Sequence, residues 1–330
     1  MADEVRKLAS GWPLAAAAPV RDTWSALAAL GRADLAVGRL VEGHVDALWI
    51  LHEAGRKPLP GAVYGVWASA SGGTGLTATP ASNGGWSVNG TMRYCSGAGF
   101  VDRALVVIAA PDGKRLVDLD VRAAQVPGGS LIRDDDSWPA VGMDVTRSVD
   151  IAVRDLGLSA ADAVGGPGFY LDRLGFAAGG VGVAAVWLGG AAGVLDGLVR
   201  TLAPGSGSAA PTRASAHQLA HLGAMAATVA AADALLAELA HRIDSSDPAG
   251  RYLPAGDAGA ARAAVELAVE EVLHRAPRVS GPTPLCRDAD FAHRLADLAV
   301  YVRQHHAEAD YEHLGRELLA SGELLGRWFG

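Results

Sequence analysis

The chain has 330 residues, half of them apolar and 19% charged, which argues against a disordered segment and provides for two or three ordinary cores. Its net charge of −8, from 28 Lys and Arg against 36 Asp and Glu, argues against a broad nucleic-acid or anionic-membrane surface, since both need a basic face. Two cysteines, Cys95 and Cys286, cannot build a disulfide framework or a thiolate zinc site alone, and the acidic start Met1-Ala2-Asp3-Glu4 lacks the pattern of a secretory leader. A reduced, cytoplasmic setting is expected.

Residues 1–60 read as a short helical domain. Asp22 is a plausible N-cap for a helix over 23–30, and a longer helix over 33–54 carries Val37, Leu40, Val41, Leu48, Trp49 and Leu51 on one broad face. Gly55 stops it, and Pro58 and Pro60 prevent its restart. Residues 61–158 change to short β-rich runs at 62–69, 85–88, 91–96, 104–110, 115–120 and 148–153. Asn89-Gly90 between two such runs predicts a two-residue hairpin, and Pro111-Asp112-Gly113 a second turn; antiparallel strands at this density imply a small barrel or sandwich. Residues 165–330 return to helix, near 168–202, 212–243, 257–275, 287–307 and 309–328, with loops at 204–211 and 244–254. Long Ala-rich helices with short connections pack naturally as a four-helix bundle.

The stretch from Leu174 to Leu195 carries no charge and imitates a membrane span. Its filling is glycine and alanine, so it reads as a buried helix that lets a neighbour approach at Gly189, Gly193 and Gly197; no membrane span is expected. Gly180-Val181-Gly182 imitates a dinucleotide fingerprint, but no strand precedes it. His217 and His221 have the one-turn spacing of metal ligands without an evident third; no metal is expected. His293, Asp297, Tyr301 and His305 follow one another at i, i+4 steps. They suit either a carboxylate base in a cleft or a solvated polar stripe.

Several segments taken in order resemble the acyl-CoA dehydrogenase flavoproteins: Tyr64-Gly65-Val66-Trp67; Gly72-Gly73-Thr74; Gly85-Trp86-Ser87-Val88-Asn89-Gly90; Tyr94-Cys95-Ser96-Gly97; and Asp102-Arg103-Ala104-Leu105-Val106. Trp138-Pro139-Ala140-Val141-Gly142-Met143 with Thr146 and Ser148 is most similar to the branch containing two-component flavin monooxygenases. His44 and Arg287-Asp288 sit where relatives have similar patterns. The resemblance implies a multi-domain α+β fold: a helical segment, a central antiparallel β-barrel and a C-terminal four-helix bundle. It also implies FAD held by Tyr64, Val66, Trp67, Gly72, Gly73, Thr74, Tyr94, Cys95 and Ser96, with Tyr94 backing the ring and the Ser96 hydroxyl near its N5.

The chain departs from that family in three ways. The N-terminal helical domain is about half the usual length, the Arg-x-x-Phe-Gly segment that reaches a neighbour's FAD is replaced by Pro204–Arg213, and the usual glutamate base aligns with Ala296, with Asp297 next. Asp297 is then the candidate base for α,β-oxidation of an acyl thioester, with an electron-acceptor flavoprotein as partner. His293 is the candidate for a reduced-flavin monooxygenase served by a flavin reductase. A non-catalytic subunit of a heteromer is the third reading. The resemblance also implies a homo-oligomer or heteromer.

Overall fold

The computed structural model describes residues 1–11, 18–70, 72–82, 84–125, 128–203, 214–246 and 251–321. Pro204–Arg213, the segment standing in for the family's FAD-reaching arm, and the expected end of the last helix beyond residue 321 lie outside them. The chain divides into two compact units, one of residues 1–18 and 39–176, the other of residues 19–38 and 177–330.

Three helices come first: α1 (Ala2–Gly11), α2 (Val20–Ala33) and α3 (Leu35–Glu53). Then follow β1 (Tyr64–Trp67), β2 (Gly75–Pro80), β3 (Trp86–Cys95), β4 (Arg103–Ala110), β5 (Gly113–Asp120), the short α4 (Val121–Ala124), β6 (Leu131–Asp134), β7 (Val149–Leu158) and β8 (Ala163–Val164). A short α5 (Phe169–Asp172) leads into α6 (Phe176–Leu202), α7 (Ala216–Ser246), α8 (Ala255–Ser280), α9 (Pro282–Arg287), α10 (Ala289–Tyr301) and α11 (Glu308–Ser321). The order helix, sheet, helix is the expected one.

In the first unit Ala47, Ile50 and Leu51 recur one helical turn apart on α3, so one stripe of that helix is apolar. It packs on Tyr64 of β1, Leu105 of β4, Leu116 of β5 and Val164 of β8, all essentially inaccessible. Each such aliphatic side chain contributes about 1.5–3 kcal/mol by leaving water. The buried Arg173 guanidinium bridges Asp46 at 3.0 Å and Glu53 at 2.8 Å, two carboxylates two turns apart on the same helix. Glu53 also accepts the Gly175 amide at 3.0 Å, so the chain leaving α5 is tied back to α3.

The sheet is open and not the barrel expected. Its order is β6-β7-β3-β2-β4-β5-β8, with β1 added beside β4, and no pairing joins β6 to β8. Nor is it uniformly antiparallel: β1 runs parallel to β4, and β2 meets β4 through a single parallel bridge at Thr77 and Ala109. Closure needs a continuous ladder around the ring; the end strands, of four and two residues, do not pair with each other, and β2 joins β4 through one bridge alone.

Asn89-Gly90 is a second correction. β3 passes straight through it: Val88 pairs with Leu156 and Gly90 with Val153, so β7 carries one extra residue at Arg154-Asp155, and the dipeptide is strand opposite a bulge and not a turn. The Asn89 side chain accepts the Asp155 amide at 2.9 Å and donates to the Asp155 carboxylate at 3.2 Å, fixing the bulge across the strands. Gly90 is needed twice, for φ of 141° and because a Cβ would lie 2.1 Å from the Gly75 carbonyl oxygen. Pro111-Asp112 is a turn as expected, with Ala110 opposite Gly113.

In the second unit α2 and α6 touch backbone to backbone. A Cβ at Gly31 would lie 2.2 Å from the Val186 carbonyl oxygen, and one at Gly189 would lie 2.0 Å from that of Ala28. This is the close approach that the small-residue stretch predicts. The fingerprint-like Gly180-Val181-Gly182 lies inside α6, with helix on both sides. Asp22 does not cap α2. That helix begins at Val20, and its first two amides donate to Asp244 at 2.7 and 3.0 Å, a cap supplied from the far end of α7. Both α6 and α7 are long and apolar enough to cross a membrane; α6 is mostly buried within the protein, whereas most of the apolar stretch of α7 is exposed.

Candidate functional site

β1 builds one wall of a narrow cleft in the first unit, lined by Arg39, Leu40 and Gly43 of α3, Tyr64 to Trp67, Ser96 and Val101. The strand pairs with β4 along one edge, and no described strand covers the other. On that wall the Tyr64 amide donates to Nδ1 of His44 at 3.1 Å, which puts the imidazole proton on Nε2. Burial lowers the His44 pKa from 6.5 to about 4, opposed by a hydrogen bond to the backbone of Ala9. The ring is therefore neutral and orients the strand. Arg39 and Glu42 form a mostly buried ion pair at 2.6 Å beside the cleft.

Trp67 lies over Gly65, where a Cβ would stand 2.9 Å from the indole nitrogen, and its Nε1–H donates to the Ser96 carbonyl at 3.0 Å. The segment 138–148 holds Ser96 from behind. Trp138 Nε1–H donates to the Met143 carbonyl at 3.0 Å, and the Thr146 hydroxyl donates to the same oxygen at 2.6 Å. These bonds fix a turn with two non-glycine residues in the left-handed region, Met143 at φ 57° and Arg147 at φ 47°. Thr146 Oγ1 and Ser148 Oγ lie 2.8 Å apart, as do Ser148 Oγ and Ser96 Oγ, and the Gly97 amide donates to the Thr146 carbonyl at 2.8 Å. All three hydroxyls are buried.

The structure therefore brings Tyr64, Val66, Trp67 and Ser96 to one cleft. Tyr64 contributes backbone there, since its ring is buried in the core and its hydroxyl accepts the Leu59 amide at 2.9 Å. Gly72, Gly73 and Thr74 lie in the β1–β2 connection, where Arg93 donates to the Gly72 carbonyl at 2.9 Å and the buried Thr74 Oγ1 has no described partner. Tyr94 is half exposed in a left-handed conformation, edge-on to Trp138 with ring centroids 6.3 Å apart. Cys95 is fully buried, and burial pushes its thiol pKa well up, so it is an inert core residue.

Asp297 and His293 lie on α10 in the second unit, with Asp297 buried and its carboxylate 3.4 Å from the half-exposed His293 Nε2. Tyr301 and His305 are also buried, and Tyr301 meets the Trp187 ring edge-on at 6.1 Å, so this face is no solvated stripe. His221 Nδ1 lies 2.8 Å from the Arg275 guanidinium, an acceptor position that takes that nitrogen out of metal binding. A roomier depression of about 670 Å3 lies along Gly128–Ile132, Arg154 and Asp155. It is an open trough at the sheet edge and holds none of the predicted residues. Sequence reasoning missed Arg39, Leu40, Gly43 and Val101 as cleft residues. Their signal, helical phase opposite β1, exists only once the strand is docked.

No family model matches the chain. Dibenzothiophene monooxygenases of Rhodococcus qingshengii and Rhodococcus erythropolis are 27% identical over 96 residues. That stretch covers 29% of this chain and 23% of theirs, so the match spans under a quarter of the relatives' length. Among solved structures, FMN-bound TdsC from Paenibacillus sp. A11-2 superposes with a TM-score of 0.81 at 19% identity, over 97% of this chain and 90% of that one. XiaF from Streptomyces sp., in complex with FADH2 and glycerol, gives 0.75 at 20% identity, over 92% and 82%. Butyryl-CoA dehydrogenase from Megasphaera elsdenii gives 0.73 at 17% identity, over 89% and 80%. The chain shares its fold with these structures, butyryl-CoA dehydrogenase and TdsC among them.

Proposed function

We propose that the chain is a flavin-dependent oxidoreductase, and that it works as a monooxygenase on reduced flavin delivered by a separate reductase. The observation that carries this reading is the segment Trp138 to Ser148, a single hydrogen-bonded unit whose hydroxyls end on Ser96 at the cleft. A flavin ring edge suits that wall. It would meet the edge of β1 that no described strand covers, Ser96 and the flat Trp67 indole, and Gly72 leaves room beside it. A bound reduced flavin supplies the two electrons that, with O2, place one oxygen atom in the substrate and release the other as water.

The chain's own residues fix position. Ser96 would sit at flavin N5, with Tyr64, Val66 and Trp67 along the ring and Gly72 to Thr74 and Tyr94 at its margins. Relatives named for FMN and for FADH2 leave both flavins as ligands here. The visible spectrum of the purified protein, with and without added FMN or FAD, tests the reading. A bound-flavin spectrum that weakens in Ser96→Ala is expected; a folded protein that takes up neither flavin refutes it and leaves the partner-subunit reading.

The second reading, oxidation of an acyl thioester, draws on the buried Asp297 carboxylate beside His293 and on the likeness to butyryl-CoA dehydrogenase. A base that removes the α-proton is worth about two to four powers of ten in rate. Thioester turnover with an artificial acceptor, lost by at least that factor in Asp297→Asn, is its expected signature. Full activity in the variant removes Asp297 from the role.

A further inference from the structure

Counting protons fixes the direction of the hydroxyl chain behind the cleft. A carbonyl only accepts, so the Thr146 hydroxyl, 2.6 Å from Met143 O, spends its one proton there. The 2.8 Å contact between Thr146 and Ser148 then takes its proton from Ser148. Ser148 has no second proton, so its 2.8 Å contact with Ser96 takes the proton of Ser96. Ser96 is left with lone pairs alone for whatever enters the cleft that it lines. All three groups are buried, so water does not reset the order. The far end is fixed as well, because Trp138 anchors the Met143 carbonyl and the Gly97 amide ties Thr146 to the loop carrying Ser96.

Reduced flavin carries a hydrogen on N5, whereas oxidised flavin presents a bare lone pair there. Resting on the flavin reading above, we infer that Thr146 and Ser148 set Ser96 as a hydrogen-bond acceptor and so make the site select reduced over oxidised flavin. Thr146 and Ser148 are positioning residues in this account: they act on the flavin only through Ser96. Reversing the chain to satisfy oxidised flavin breaks the buried Thr146–Met143 bond. One net neutral hydrogen bond corresponds to roughly a tenfold preference.

The test is the dissociation constant of FMN in each redox state, titrated in air and again anaerobically after chemical reduction, with the potential of the bound flavin as a second readout. The parent is expected to bind reduced FMN roughly tenfold more tightly, which raises the bound potential by about 30 mV for a two-electron couple. Ser148→Ala frees the Ser96 proton to point into the cleft, and the preference disappears. Thr146→Val does the same one step further back, and Thr146→Ser, which keeps the hydroxyl, keeps the preference. A merely structural role for these residues would weaken both redox states alike. The inference is overturned if the parent binds both states equally, or if Ser148→Ala and Thr146→Val fold and leave the ratio unchanged. A parent that binds neither state overturns the flavin reading itself.

Discussion

His44 offers a sharp test of how the first unit is held. Its neutral ring accepts the Tyr64 amide on Nδ1, and burial lowers its pKa from 6.5 to about 4. The unfolded chain therefore takes up this proton before the folded one. Stability is complete above about pH 6.5, and it falls as pH drops towards about 4. At 1.36 kcal/mol per pH unit the loss reaches about 3 kcal/mol across that window. Urea unfolding of the first unit's signal at several pH values measures it.

Carboxylates lose stability in the same acid range and must be separated. Asp102, for example, is held below the usual carboxylate range: burial works against this, but the Arg6 guanidinium and the Val63 amide prevail. His44→Gln is the control, because an amide can accept from Tyr64 and donate to Ala9 without titrating. The parent is expected to lose about 3 kcal/mol relative to His44→Gln between pH 7 and pH 4. Parallel curves for the two proteins would refute the assignment of a neutral, strand-orienting imidazole.

Two further outcomes follow from backbone geometry. Gly189→Ala places a methyl 2.0 Å from the Ala28 carbonyl oxygen, so α2 and α6 must separate; a stability loss of about 3 kcal/mol or outright failure to fold is expected from thermal melts. A loss below about 1 kcal/mol would mean that the helices do not cross backbone to backbone there. Asn89→Ala removes both side-chain bonds to Asp155 and is expected to cost about 1–2 kcal/mol, leaving Asp155 strained at φ 46°. An unchanged midpoint in denaturant would show that the bulge needs no such fastening.

The sequence by itself determined the order helix, sheet, helix. Period-3.6 runs and proline breaks are local signals, and α3, α6, α7 and α8 fall close to where they predict. It also exposed the small-residue face of α6, because glycine spacing on a helix is legible without knowing the partner. Tertiary structure decided what those signals were for. Asn89-Gly90 has the chemistry of a turn and stays in strand, because β7 lies alongside with a bulge at Asp155 that takes the Asn89 side chain. Asp22 has the chemistry of a cap and is passed over, because Asp244 reaches the helix end at Val20 from 224 positions further along the chain. Trp138, Met143, Thr146 and Ser148 were legible only as a likeness. Their joint role as a proton-ordered support for Ser96 depends on a left-handed turn folding them against a strand some fifty residues away, and hydrogen-bond direction is a property of that assembled set and of no residue within it.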